Sequence, residues 1–264
     1  MTPASSSTPA SSSTPTSSSS PVVLVTGASS GIGAATATTL AEHGMQVHAA
    51  ARRTERLAEL RSATGCHVHT LDVCDPPAVQ ACLADIGGVD ILINNAGLGR
   101  GWGSLAHATY ADIEMTVATN VTAVLHLTQS VLPAMIEQRR GHIVNIGSMA
   151  GLYPLSSVIY GATKAATNRL STNLRLELQG TGVRVTEICP GRIQTEFYDV
   201  AIDDADARKA VRDTGATEVT AAECADTILY AVTRAPHINI NRIELQPTEQ
   251  TYGGSQYTLI EDQT

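Results

Sequence analysis

The chain has 264 residues, 43% hydrophobic and 16% charged, which is enough to bury a core and too many for a disulfide-stapled mini-protein. Its 17 Lys and Arg against 25 Asp and Glu give a formal charge of -8, and no basic run exceeds a pair, so long polyanions are repelled and nucleic acid is not an expected partner. With 3% aromatic residues, the core is expected to consist of Ala, Val, Leu and Ile, without the ring stacks that grip single-stranded nucleic acid.

Residues 2–21 contain only Ser, Thr, Pro and Ala in an imperfect repeat, a composition expected to stay disordered because it cannot offset its chain entropy by burial. From Val22 onward short apolar runs alternate with longer amphipathic stretches. The pattern predicts strands near 22–26, 46–50, 67–71, 89–94, 142–147, 183–189 and 238–245. Helices are predicted near 32–43, 54–62, 76–85, 109–137, 157–179 and 221–233. Near-continuous apolar strands alternating with helices imply a doubly wound α/β domain, a Rossmann fold with a parallel seven-stranded sheet, in one domain over 22–264. The stretch 191–219 is polar and lacks a clear period, and a mobile substrate lid is expected there.

Cys66, Cys74, Cys82, Cys189 and Cys224 form no C-x-x-C pair, and one is left over in any pairing. Reduced thiols in a cytoplasmic protein are the expectation, reinforced by the absence of a membrane-length apolar window or a secretory pattern. His67 and His69 lie near Cys66, Asp72 and Cys74, but no second ligand pair has structural-site spacing and no metal is expected.

The first strand runs into Thr26-Gly27-Ala28-Ser29-Ser30-Gly31-Ile32-Gly33 and then directly into the first helix. Glycines there let the backbone approach a pyrophosphate, and the helix N-terminus offers unpaired N–H groups, so Gly27, Ser29, Ser30, Gly31, Ile32 and Gly33 are candidate cofactor contacts. The second strand ends in Ala50-Ala51-Arg52-Arg53 where an NAD site commonly places a carboxylate. Two guanidinium groups favour a 2′-phosphate, and Arg52 and Arg53 point to NADP(H).

Three further segments carry chemistry: Asn94-Asn95-Ala96-Gly97, Ser148 after the fifth strand, and Tyr160-Gly161-Ala162-Thr163-Lys164 at the opening of a long helix. The Tyr160 to Lys164 spacing stacks both side chains on one helical face. An ammonium beside a phenol lowers the phenol's pKa and makes it a usable acid or base.

Together with Leu71-Asp72-Val73, Asn120 and Pro190-Gly191, these segments resemble the short-chain dehydrogenase/reductase family, in its single-domain short-subunit branch, over 22–246 or beyond. The resemblance implies that Tyr160 is the general acid/base, that Ser148 polarises the carbonyl, and that Lys164 holds the nicotinamide ribose while lowering the Tyr160 pKa. It assigns Asn120 to a proton-relay water and Asp72 and Val73 to the adenine. Asn94, Ala96 and Gly97 are expected near the cofactor, Pro190 and Gly191 against the nicotinamide, and Ile193 with Thr195 at the carboxamide.

The C-terminal segments APHININ (235–241) and QPT (246–248) are similar to bacterial NADP-dependent 3-hydroxy acid dehydrogenases, which implies short aldehydes, ketones or hydroxy acids as substrates. Arg100 and Arg192 are the candidate cations for an acidic substrate, and Tyr153, Phe197 and Tyr198 the candidate pocket walls. The family pairs its long helices across subunits, so a homotetramer is implied. Two other readings stand beside this one: a 3-oxoacyl thioester or polyketide ketoreductase, and a non-catalytic NADP-binding regulator.

Overall fold

The computed structural model describes residues 20–251 and 257–260, so the expected disorder of the leader falls almost wholly outside the described residues. In chain order the domain begins β1 (Val22–Thr26), α1 (Gly31–Glu42), β2 (Gln46–Ala51), α2 (Thr54–Thr64), β3 (His67–Thr70), α3 (Pro76–Ile86) and β4 (Ile91–Asn94). It continues α4 (Tyr110–Val117), α5 (Ala123–Glu137), β5 (Gly141–Ile146), α6 (Val158–Glu177) and β6 (Val183–Pro190). Then follow β7 (Ile193–Gln194), α7 (Phe197–Ala201), α8 (Ala205–Arg212), β8 (Val219–Thr220), α9 (Ala221–Val232) and β9 (Arg242–Leu245).

Seven strands form one parallel sheet in the order β3-β2-β1-β4-β5-β6-β9. Alternation along each strand feeds two cores. Val23, Val25 and Ile93 pack with Leu40 and Ile228 on one face, and Leu24 and Leu92 pack with Leu127, Met135 and Val185 on the other. The order reverses between β1 and β4, so the carboxyl ends of these strands open a crevice, the usual ligand position in such sheets.

Three elements differ from expectation. The helix expected over 109–137 is two helices, α4 and α5, joined by a π-helical turn over Ala118–Thr122. The wider turn carries Asn120, whose carbonyl accepts from Thr167 Oγ1 at 3.4 Å. The last strand is shorter than expected because the Asn239 side chain, in place of ladder pairing, bonds the Val185 N–H (2.8 Å) and carbonyl (3.2 Å). Residues 191–219 are more regular than their sequence suggests, holding α7, α8 and the two-residue parallel pair β7 and β8.

His48, His67 and His69 share one face at the β2–β3 edge, with the His48 ring 4.7 Å from His67 and its Nδ1 2.9 Å from His69 Nε2. His142 is buried on β5, bonded through Nε2 to Thr186 Oγ1 at 2.8 Å, and burial lowers its pKa from 6.5 to about 3. The unfolded chain therefore takes up a proton that the folded chain resists, and stability falls as pH drops below about 6.5. His142→Gln is expected to flatten this acid limb by on the order of 3 kcal/mol near pH 4, read by urea denaturation across pH. His48, lowered to about 4 chiefly by burial, leaves a residual slope.

Candidate active site

The crevice between β1 and β4 opens into a cavity of about 570 Å³ that runs from the glycine-rich turn to Tyr160. At its base Thr26 Oγ1 accepts from the N–H groups of Asn95 and Ala96, both at 3.1 Å, tying the ends of β1 and β4 together. The turn that follows takes a left-handed φ of 65° at Gly27, and a Cβ there would lie 2.8 Å from the Ala96 backbone. Glycine is required by both constraints. Helix α1 then starts at Gly31 without a side-chain cap from Ser30, which leaves its first-turn N–H groups facing the cavity end without that partner.

Arg53 crosses this turn. It donates to Ser29 Oγ at 3.0 Å, to Ser30 Oγ, and to Glu196 Oε2 at 2.9 Å, while Arg56 reaches the other oxygen of Glu196 at 3.4 Å. Arg52, Asp72 and Val73 complete the wall. Uncapped helix N–H groups, a close-approach glycine and two arginines at the end of β2, where β2 itself supplies no carboxylate, fit a dinucleotide that carries a 2′-phosphate, as NADP(H) does.

At the opposite end Ser148 leaves β5 and caps the short turn Met149–Gly151, its Oγ accepting from the Ala150 N–H at 3.1 Å. That turn lies on α6 so closely that a Cβ at Gly151 would meet the Lys164 carbonyl carbon at 2.5 Å. The contact brings Ser148 beside Tyr160. Lys164, one turn further along α6, buries its ammonium, donates to the Ile146 carbonyl at 2.7 Å, and lies 5.7 Å from the centre of the Tyr160 ring.

Burial pushes the Tyr160 hydroxyl above the ordinary phenol range, and its hydrogen bond with Ser148 pulls the other way. Burial lowers the Lys164 ammonium from 10.5 to about 8. Desolvation sets the direction at Tyr160, in place of the downward effect expected from Lys164, so the tyrosine holds its proton at neutral pH. A buried neutral phenol beside a hydroxyl can donate a proton to a bound oxygen.

A model of the short chain dehydrogenase family matches residues 21–206. The chain belongs to this family. The short-chain dehydrogenase is 40% identical over 243 residues to the NADP-dependent 3-hydroxy acid dehydrogenase YdfG of Salmonella typhi, covering 88% of this chain and 97% of that one. It is also 40% identical over 243 residues to sulfoacetaldehyde reductase 2 of Chromohalobacter salexigens, covering 88% and 96% of the two chains. Its fold overlays a closed form of serine dehydrogenase complexed with NADP+ at a TM-score of 0.83 and 38% identity, covering 92% of this chain and all of the other. The protein is an oxidoreductase of the short-chain dehydrogenase fold and family.

Most sequence-nominated residues line the cavity: Gly27, Ser29, Ser30, Gly31 and Ile32 at the turn, Ala96 and Gly97 after β4, and Pro190, Gly191, Ile193 and Thr195 after β6. Four do not line it, each for a visible reason. Asn94 is buried in the sheet, its amide donating to Asn145 Oδ1 (2.9 Å) and Thr128 Oγ1 (3.2 Å), and the following Asn95 takes the cavity position. Gly33 packs behind the turn, where a Cβ would meet the Gly27 carbonyl oxygen at 2.4 Å. Asn120 sits behind the wall, exchanging hydrogen bonds with the Leu98 backbone at 2.8 and 2.9 Å and donating to Thr163 Oγ1 at 3.0 Å, one residue before Lys164.

Arg100 is the fourth, turned to Asp112 at 3.3 Å and Asp203 at 2.7 Å. Arg192 does line the cavity, but it pairs with Glu218 and donates to the Arg212 carbonyl at 3.0 Å. Tyr153 lines it as well and donates to Glu244 Oε2 at 2.8 Å.

Sequence reasoning missed Trp102, Glu196, Gln250 and Tyr257 in this wall. Tyr257 lines the cavity of its own chain, where the Arg192 guanidinium lies 5.8 Å from its ring, whereas Tyr252, Gly253 and Gly254 fall outside the described residues. A signal existed for Trp102, the single tryptophan of the chain, placed five residues beyond Gly97.

Proposed function

We propose that the protein transfers a hydride between NADP(H) and a small carbonyl or alcohol, with short aldehydes, ketones and 3-hydroxy acids as the substrate field. The juxtaposition of Ser148, Tyr160 and Lys164 at the end of a cavity that begins at the Arg53 wall carries this reading. When bound, NADPH supplies the hydride. Ser148 then hydrogen-bonds the substrate oxygen, and Tyr160 gives that oxygen its proton as negative charge develops. Lys164 keeps a positive charge beside the tyrosinate formed, and Asn120 holds the Leu98 backbone and, through Thr163, the turn of α6 that carries Lys164.

The relatives named for 3-hydroxy acids and sulfoacetaldehyde support a small carbonyl. Arg139 donates to the Gly180 carbonyl and Arg140 pairs with Asp90, so this basic pair is already engaged and favours no acidic carrier protein. A homotetramer is supported by the exposed apolar side chains on α4, α5 and α6, among them Met115, Leu125, Val158 and Leu176. A cytoplasmic location is supported by five cysteines that are all unpaired.

The test is loss of NADPH absorbance with a panel of short aldehydes and ketones. Because Lys164 titrates near 8 and Tyr160 far above it, the reduction rate is expected to stay flat through neutral pH and to fall above about pH 8, tenfold per pH unit once the ammonium is lost. A rate that instead climbs through this window removes the protonated lysine from the scheme.

A further inference from the structure

The chain contains one Trp and one Phe, and both lie against Tyr160. Ring centres of Trp102 and Phe197 are 5.8 and 5.1 Å from that of Tyr160, and Tyr198 closes the group at 5.4 Å from each of the other two. Three of these rings converge on Gly99, where a Cβ would lie 2.8 Å from Phe197 Cζ and 3.4 Å from Trp102 and Tyr160. Leu155, Val200 and Val211 extend the same wall. In a chain so poor in rings, this concentration at the reacting end is a recognition surface for a flat apolar group.

Charge points the same way. Arg192 is compensated by Glu218, Arg100 by Asp112 and Asp203, and Arg212 by Asp199 at 2.8 Å. Lys164 spends its ammonium on the Ile146 carbonyl. An anionic substrate would meet arginines whose charge an internal carboxylate already offsets. A cationic one would meet Arg192, which already lies 5.1 Å from the Tyr198 ring.

Building on the hydride-transfer reading above, we infer that within that substrate field the preferred substrate is an uncharged carbonyl compound, or its alcohol, with an aromatic ring beside the reacting carbon, ahead of the anionic 3-hydroxy acids. In the reduction the carbonyl carbon gains a hydride from NADPH, and the C=O π pair moves to oxygen. That oxygen takes the Tyr160 proton, leaving the alcohol and NADP+, and Tyr160 recovers a proton from solvent.

Trp102 is also the reporter. As the single tryptophan it gives an emission signal from this wall alone, so binding is read without turnover. With full-chain protein saturated in NADPH, where neither alcohol has an oxidant, benzyl alcohol is expected to shift Trp102 emission and to bind at least about tenfold tighter than 3-hydroxypropionate. In the NADPH assay benzaldehyde is expected to exceed both malonic semialdehyde and 4-carboxybenzaldehyde in kcat/KM. Trp102→Leu, which keeps an apolar wall without the ring, is expected to narrow the benzaldehyde-to-hexanal ratio about tenfold through KM.

Tighter binding of 3-hydroxypropionate, faster turnover of the anionic aldehydes, or an unchanged ratio in Trp102→Leu would each overturn the inference while leaving hydride transfer standing. Selective binding of benzyl alcohol with no turnover of any aldehyde would uphold the ring site and overturn the hydride-transfer reading instead.

Discussion

Tyr160→Phe is expected to lower kcat for carbonyl reduction by about a thousandfold, with KM changed less than threefold, because general acid catalysis of this kind contributes about 10²- to 10⁴-fold. The variant removes one oxygen and nothing else. Its ring keeps its place between Trp102 and Phe197, and the hydroxyl it loses is bonded to Ser148, which keeps a second partner in the Ala150 N–H. Losing a buried polar atom that burial already disfavours in its charged form carries little stability penalty, so circular dichroism and NADPH binding should match the parent. Steady-state rates decide it. A residual kcat within tenfold of the parent would mean that the proton comes from elsewhere, with water held by Ser148 the nearest source.

Legibility in the sequence followed the range of the interactions involved. The turn at Gly27 to Gly33 and the Tyr160–Lys164 pair are local, set by glycine geometry and helical spacing, and both stand where the sequence puts them. The seven-stranded parallel sheet was legible because buried strands read as continuous apolar runs.

The π-helical turn at Asn120 was not legible, since it depends on a side chain bonding Leu98, 22 positions away. Helices α7 and α8 in the 191–219 segment are short and depend on partners distant in sequence. Arg212 of α8 bonds Asp199 of α7, and Glu196 before α7 bonds Arg53 across 143 positions. The fate of Arg100 and Arg192 was hidden for the same reason, because spacing nominates a cation but does not reveal that Asp203 or Glu218 has already engaged it.

Arg53→Ala is expected to raise the Kd for NADPH by about 30-fold and to leave that for NADH within threefold, since a hydrogen bond to a charged group is worth about 1.5–3 kcal/mol. Arg53 is the stronger candidate of the two arginines because its guanidinium is already anchored. Ser29 and Ser30 fix one edge, and Glu196 takes the other at 2.9 Å. Anchoring reduces the side-chain entropy lost when a phosphate is gripped, which favours a planar fork over a free lysine-like charge.

Glu196 gives the prediction its internal control. Its carboxyl is held below the usual carboxylate range by Arg53, so at neutral pH it is ionised and competes for the same guanidinium that a 2′-phosphate would use. Glu196→Gln is therefore expected to tighten NADPH binding severalfold, and Arg53→Ala to abolish that gain. Isothermal titration with both nucleotides measures all four combinations. Equal losses for NADPH and NADH in Arg53→Ala would place Arg53 against the shared pyrophosphate and transfer the 2′-phosphate role to Arg52.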